Sequence, residues 1–350
     1  MKNLLLLLLA ALVLSPACRQ QPAQPAAPAA ADTLAAVTTP GVARLSPALD
    51  TIIPPGATIE VLAGGYTWSE GPLWIGDPDS GFIIYSDVPE NRVYQWREGQ
   101  GASVYLSPSG YTGTGAGGRE PGSNGLLLDA AGRLVLCQHG DRRIARMDAA
   151  PDAPASTFTT LADNYQGRRF SSPNDAVYDP AGRLYFTDPP YGLAGGDEDP
   201  GKELAYNGVY RLDPDGSVVL LIDSLTRPNG IALSPDARTL YVAISDGQAP
   251  RILAYSLDAT GQVGEGRLFF DAKPHGAPDR KGAPDGLKVA PNGIVFATGP
   301  GGVWVLSPTG EPLGLIQTGR ATANCALGDG GRYLYMTAHQ YLMRIAVFPS

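Results

Sequence analysis

Six times along this chain a Glu, Asn or Asp, usually followed by Gly, introduces a short apolar strand: Glu70, Asn124, Asn174, Asn229, Asp285 and Asn324. After most of them a Gly-containing turn leads into a second strand, as at residues 130–133, 180–183 and 291–293. Recurrence at about 40 to 55 residues marks a propeller or similar array, because each repeat has to bury its faces against its neighbours. One oxygen-bearing side chain per repeat can then meet its counterparts at a single axis.

The repeats fill out to four strands. From Asn124 they fall at residues 124–129, 134–137, 143–148 and 158–161, and the next copy runs 176–179, 184–188, 208–213 and 217–222. Four-stranded units around an axis are propeller blades. After Asn324 only three strands can be placed, at 324–327, 333–337 and 342–347, so the missing outer strand is expected from residues 58–62. The expected fold is therefore all-β, a six-bladed β-propeller over residues 43–350 with four antiparallel strands per blade and the last blade closed by an N-terminal strand. Tandem β-sandwiches would need a linker, and the sequence has none inside the repeats.

Composition agrees. Only 17% of residues are charged while 44 are Gly and 32 Pro, which suits short strands joined by tight turns and leaves little for long surface helices. A net charge of −8 excludes nucleic acid and anionic lipid as main partners, since both select a basic surface. The N-terminus reads as an address: Lys2, an apolar run at 4–14 too short to span a bilayer comfortably, then Ser15-Pro16-Ala17-Cys18. This is a lipoprotein-type signal peptide, with Ser15 where such signals usually carry Leu. Cleavage before Cys18 would leave its thiol for lipidation, and residues 19–42, rich in Ala and Pro, would be a flexible tether. The expected location is the bacterial cell envelope, lipid-anchored on the periplasmic or surface side, with plain secretion as the alternative. Cys137 and Cys325 lie in apolar strands and read as buried free thiols.

If the marked residues begin the innermost strands, loops that follow each second strand and loops between blades share their end of the ring. The segments 107–123, 138–141, 188–207, 245–250 and 271–284 therefore face the site, and long loops on a rigid scaffold are where recognition is built. Converging there, Glu70 and Asp285 bring carboxylates and Asn124, Asn174, Asn229 and Asn324 bring amide oxygens. An all-oxygen set selects Ca2+ or Mg2+ over Zn2+ or copper, and several neutral carbonyls favour calcium. The plainer reading takes Asn-Gly and Asp-Gly as turn formers, but the turns occur separately, after each inner strand. His139, in a channel-facing loop, is a candidate base; His275 and His339 occupy other such loops. No Gly-x-Ser-x-Gly elbow supports a serine nucleophile.

The segments 69–74, 172–175, 184–193, 227–232 and 283–288, taken in order, resemble the gluconolactonase branch of the SMP-30/gluconolactonase/LRE-like family from about residue 58 to the C-terminus. The resemblance implies a six-bladed propeller with a divalent metal in its central channel, commonly calcium with Zn2+, Mg2+ and Mn2+ as alternatives, that hydrolyses lactones. It implies Glu70, Asn174, Asn229 and Asp285 as metal ligands and Asp285 also as proton acceptor and donor, with His139 its rival. Asn174 is also implied in substrate contact, while Asn124 and Asn324 read as channel-lining substrate-binding residues. Animal-type members carry Arg two residues before the asparagine; here Ser172 stands there, and Arg119 or Arg169 could substitute. The implied activity is opening of a sugar lactone or related cyclic ester, a small-molecule substrate. Hydrolysis of organophosphates on the same site, or carbohydrate or protein binding without catalysis, are the other readings.

Overall fold

The computed structural model describes residues 40–115 and 117–349; the signal peptide, Cys18 and nearly all of the tether lie outside the described residues. Six antiparallel sheets form the six blades of a ring. Their innermost strands are Ser69–Ile75, Ser123–Leu128, Ala176–Tyr178, Pro228–Leu233, Leu287–Val289 and Thr322–Gly328, each opened, or immediately preceded, by a marked residue. Among the described residues helix is confined to 3-10 turns such as Pro47–Thr51.

Apolar residues occur on both faces of a blade because every blade is covered on both sides. In Leu184–Asp188, Tyr185 packs toward the fourth blade with Val209, Ile231 and Val242, while its neighbour Phe186 packs toward the second with Cys137 and Ile144. This is the strand period of two with both phases apolar. The core is correspondingly divided into six clusters, one at each blade interface. Cys137 and Cys325 are buried free thiols within it, as expected.

The ring closes as the sequence suggests, by Glu60–Gly64 pairing antiparallel with Tyr341–Ala346 as the outer strand of the last blade. Arg344 bridges the joint, reaching Glu60 at 2.9 Å and Glu98 of the first blade at 2.6 Å. A second N-terminal strand was not expected: Gly41–Arg44 adds a fifth strand to blade five, against Pro312–Gln317. The propeller thus begins at Gly41, inside the segment assigned from sequence to the tether.

Candidate active site

The marked residues are not turns. Strand pairing shifts register beside them, between Glu70 and Leu73, Ser123 and Leu126, Pro228 and Ile231, and Thr322 and Asn324. Such bulges re-aim side chains at a sheet edge, here toward the axis. The backbone released by the bulge bonds the next blade: Gly125 N donates to Asn174 O at 2.8 Å, Gly230 N to Asp285 O at 3.1 Å and Gly286 N to Ala323 O at 2.7 Å. Only Gly permits this approach at Gly230, where a Cβ would lie 2.1 Å from Asp285 O.

A second set of residues, missed from sequence in part, holds the same ring. Hydroxyls ending second strands donate to carbonyls of the next blade: Ser86 to Asn124 O at 3.0 Å, Thr187 to Asn229 O at 2.6 Å and Thr337, across its own blade, to Asn324 O at 3.2 Å. The carboxylates that follow two of them accept from the segment entering the inner strand. Asp87 accepts from Thr67 N and Trp68 N, and Asp188 from Ser171 N and Ser172 N. Asp246, just after the second strand of blade four, accepts in the same way from Thr226 Oγ1 and Gln248 N. Burial pushes Asp87 up to about 6 and Asp188 up to about 7, against the pull of these amides.

Glu70, Asn124, Asn174, Asn229 and Asp285 meet at the wall of one cavity of about 270 Å3. Trp68, Arg119, Glu120, Tyr191 and Ser245 complete it. Of the loops expected to face the site, 107–123, 188–207 and 245–250 contribute lining residues and 271–284 contributes none. Arg119 lines the cavity, whereas Arg169 turns away and donates to Asp141 O.

Two expected site residues lie elsewhere. Asn324 is outside the cavity wall: its Oδ1 accepts from Cys325 N at 2.9 Å, and its amide fills the space left by Gly286 and bonds Asp175. His139 is buried behind Asn174, with Nε2 3.5 Å from Asn174 Nδ2 and Nδ1 3.5 Å from Glu120 Oε2. It supports the wall rather than forming it.

Asp175 is the important residue that sequence reading passed over. It occupies the position after the marked residue where four other repeats have Gly, and it is a buried carboxylate beneath the cavity. Its Oδ1 accepts from Ala176 N, and Lys288 Nζ stands 3.8 Å from Oδ2. The signal was there as a charged residue breaking a glycine column.

The electrostatics follow from this crowding. Burial, and then the charges of Asp175 and Glu120, push the Glu70 carboxyl up to about 8, although Gly71 N donates to it. Asp285 keeps some exposure to the cavity, but enclosure by the channel walls and the neighbouring Glu70, Asp175 and Glu120 hold it well above the usual carboxylate range. Neither Glu70 nor Asp285 has an ion-pair partner among the described residues. Amide orientation is set from behind: Asn229 Nδ2 donates to Ser245 Oγ at 2.9 Å, which donates to Pro284 O at 2.7 Å.

Without a bound cation, Glu70 is protonated in the fold between its unfolded value near 4.5 and about 8. Its contribution to stability is complete below that window and is lost as pH rises through it. A divalent ion held by Glu70 in place of the proton would invert this trend. The thermal midpoint of chelated protein should therefore fall further behind that of calcium-supplemented protein at each step from pH 5 to 8, by scanning calorimetry. A gap constant with pH would refute this.

The comparisons with known proteins follow the same geometry. The SMP-30/Gluconolactonase/LRE-like region matches residues 68–340. A gluconolactonase of Zymomonas mobilis is 40% identical over 309 residues, covering 87% of this chain and 85% of its own. A gluconolactonase structure from Xanthomonas campestris superposes with a TM-score of 0.74 at 33% identity, covering 94% of this chain and 100% of that one. A regucalcin from Agrobacterium tumefaciens, at 19% identity and a TM-score of 0.64 over 84% of this chain and 96% of its own, shares the fold. A ring whose strand-opening oxygens meet in one axial cavity, matched over most of its length in this way, belongs to the SMP-30/gluconolactonase/LRE-like family.

Proposed function

We propose that the protein is a metal-dependent lactonase that opens a sugar lactone, with Asp285 as the proton-transferring group. The observation that carries this reading is the meeting of two carboxylates and three amides, all oxygen donors, in one cavity. Gluconolactonase is the description borne by two relatives that cover most of this chain, and a pentonolactonase of Haloferax volcanii is 27% identical over 231 residues.

The residues fit a hard divalent cation. Glu70, Asp285, Asp175 and Glu120 crowd the axis with negative charge, and Arg119 and Lys288 stand against them. The residues lining the cavity include no His or Cys, so its wall offers oxygen donors to a metal. Glu70, Asn174, Asn229 and Asp285 would hold the ion, most suitably calcium. When bound, it supplies positive charge that polarises the lactone carbonyl as a Lewis acid.

The chain's own groups do the rest. The lactone ring lies in the cavity with its hydroxyls toward Arg119, Asn124 and Tyr191. Water attacks the carbonyl carbon while the Asp285 carboxylate takes its proton, and the ring C–O bond breaks as Asp285 returns that proton to the ring oxygen, giving a hydroxy acid. The place of Asp285 on the cavity wall gives it access that His139, behind Asn174, lacks. Trp68 and Tyr191 add aromatic surface to the same wall.

Glucono-1,5-lactone hydrolysis, followed by acid release with the spontaneous rate subtracted, tests the reading. Turnover should vanish in EDTA and return with excess calcium. Turnover indifferent to chelation would sink the metal's role, and no turnover at all would sink the lactonase.

A further inference from the structure

A second cavity, of about 600 Å3, opens on the loop face beside the first. It lies between the 188–207 loop, the entry to blade four and the 245–250 loop, and Ser245 lines both cavities. On either side of Ser245, Tyr191 lines the first cavity and Arg227 the second; Arg227 lies over the Tyr191 ring at 5.7 Å and pairs with Asp197 at 3.0 Å.

The lining suits a neutral polyhydroxyl group. Asp197, Asp223 and Asp246 are balanced in part by Lys202 and Arg227, and these cations are already engaged: Arg227 by Asp197, and Lys202 by the carbonyls of Leu204 and Tyr206. An anion would meet more negative charge than positive. Carboxylates and amides held rigid by their own neighbours accept and donate to hydroxyls instead. Asp246 is fixed by Thr226 and the Gln248 backbone, and Asn207 by Asp197 and Thr226 O. The Gln248 side-chain amide, at the exposed rim, makes no described contact. Ligand pockets for larger molecules run from about 300 to 1,000 Å3, so the axial cavity has the scale of a single ring and the side cavity admits another.

From this juxtaposition we infer that the side cavity binds a glycosyl substituent, and that the substrate class is a disaccharide lactone, an aldonolactone carrying a second sugar, with its lactone in the axial cavity and its sugar in the side cavity. The inference rests on the lactonase reading for the axial cavity, and it adds the substrate's other half.

The test compares cellobiono-1,5-lactone with glucono-1,5-lactone on the full protein and on two variants. Gly247 lines the side cavity, and a Cβ there meets nothing within 4 Å, so Gly247→Trp can fill space without displacing backbone. Gln248→Ala removes the rim amide. For the unaltered protein kcat/KM should favour the disaccharide lactone at least tenfold, mainly through KM. That ratio should fall toward one in Gly247→Trp and by several-fold in Gln248→Ala, with glucono-1,5-lactone turnover reporting the fold. A ratio at or below one in the unaltered protein, or one that Gly247→Trp leaves in place, overturns the inference. Should neither lactone be opened, the lactonase reading fails by itself. Calorimetric titration with cellobiose then decides the side cavity: heat of binding lost in Gly247→Trp upholds a sugar site, and no heat overturns it.

Discussion

Asp285→Asn should lower kcat for glucono-1,5-lactone by about 10^2 to 10^4, the range for losing a positioned acid–base group, while a divalent ion remains bound. The side chain keeps its shape and one oxygen donor, its backbone N still donates to Thr298 Oγ1 at 3.0 Å, and Glu70 and the amides of Asn174 and Asn229 persist. What disappears is the carboxylate that accepts the water proton. Calcium titration calorimetry on the variant separates the two roles: retained binding with lost turnover assigns Asp285 to proton transfer, and joint loss assigns it to ligation alone. His139→Ala belongs in the same series. Its effect should be far smaller on kcat, because the imidazole supports Asn174 from behind, and an equal loss in the two variants would transfer the base to His139.

Gly230→Ala should be among the most destabilising single-methyl additions in the chain. The new Cβ would meet Asp285 O at 2.1 Å, with Leu287 Cδ2 at 2.8 Å behind it, so blade four must withdraw from blade five. Overpacking of this kind costs about 1–3 kcal/mol, to which loss of the Gly230 N to Asp285 O bond adds. The site suffers with the fold, since Asn229 and Asp285 flank the displaced contact. Gly276→Ala is the control, with its nearest foreign atom 3.5 Å away. Urea unfolding should separate the two by more than 1 kcal/mol; equal midpoints would show that the inner ring yields more readily than its geometry implies.

These two predictions also show where the sequence was legible. Asn229 and Asp285 announce themselves because the repeat puts them in register, and Glu60–Gly64 because one strand was missing from a count. What the repeat cannot reveal is a departure from its own geometry. Asn324 matches the other marked residues in sequence, yet the void beside Gly286 and the carboxylate of Asp175 draw its amide sideways, a preference set by two other blades. Asp175 hides for the converse reason: local chemistry gives no cause for a charge in a glycine column until Lys288 is seen across the channel. The strand Gly41–Arg44 carries no periodic signal, being only four residues long; the open edge of Pro312–Gln317 receives it, and Val42 and Ala43 pack against separate core clusters.

That added strand bears on orientation. Gly41 pairs with Gln317, at the end of blade five where the chain crosses to blade six, and Arg44 pairs with Gly314 further from it. The polypeptide therefore enters the disc at its outer rim, on the same side as the cavity mouths. Whatever is joined to the amino group of Gly41 therefore leaves the disc beside the openings through which substrate must pass.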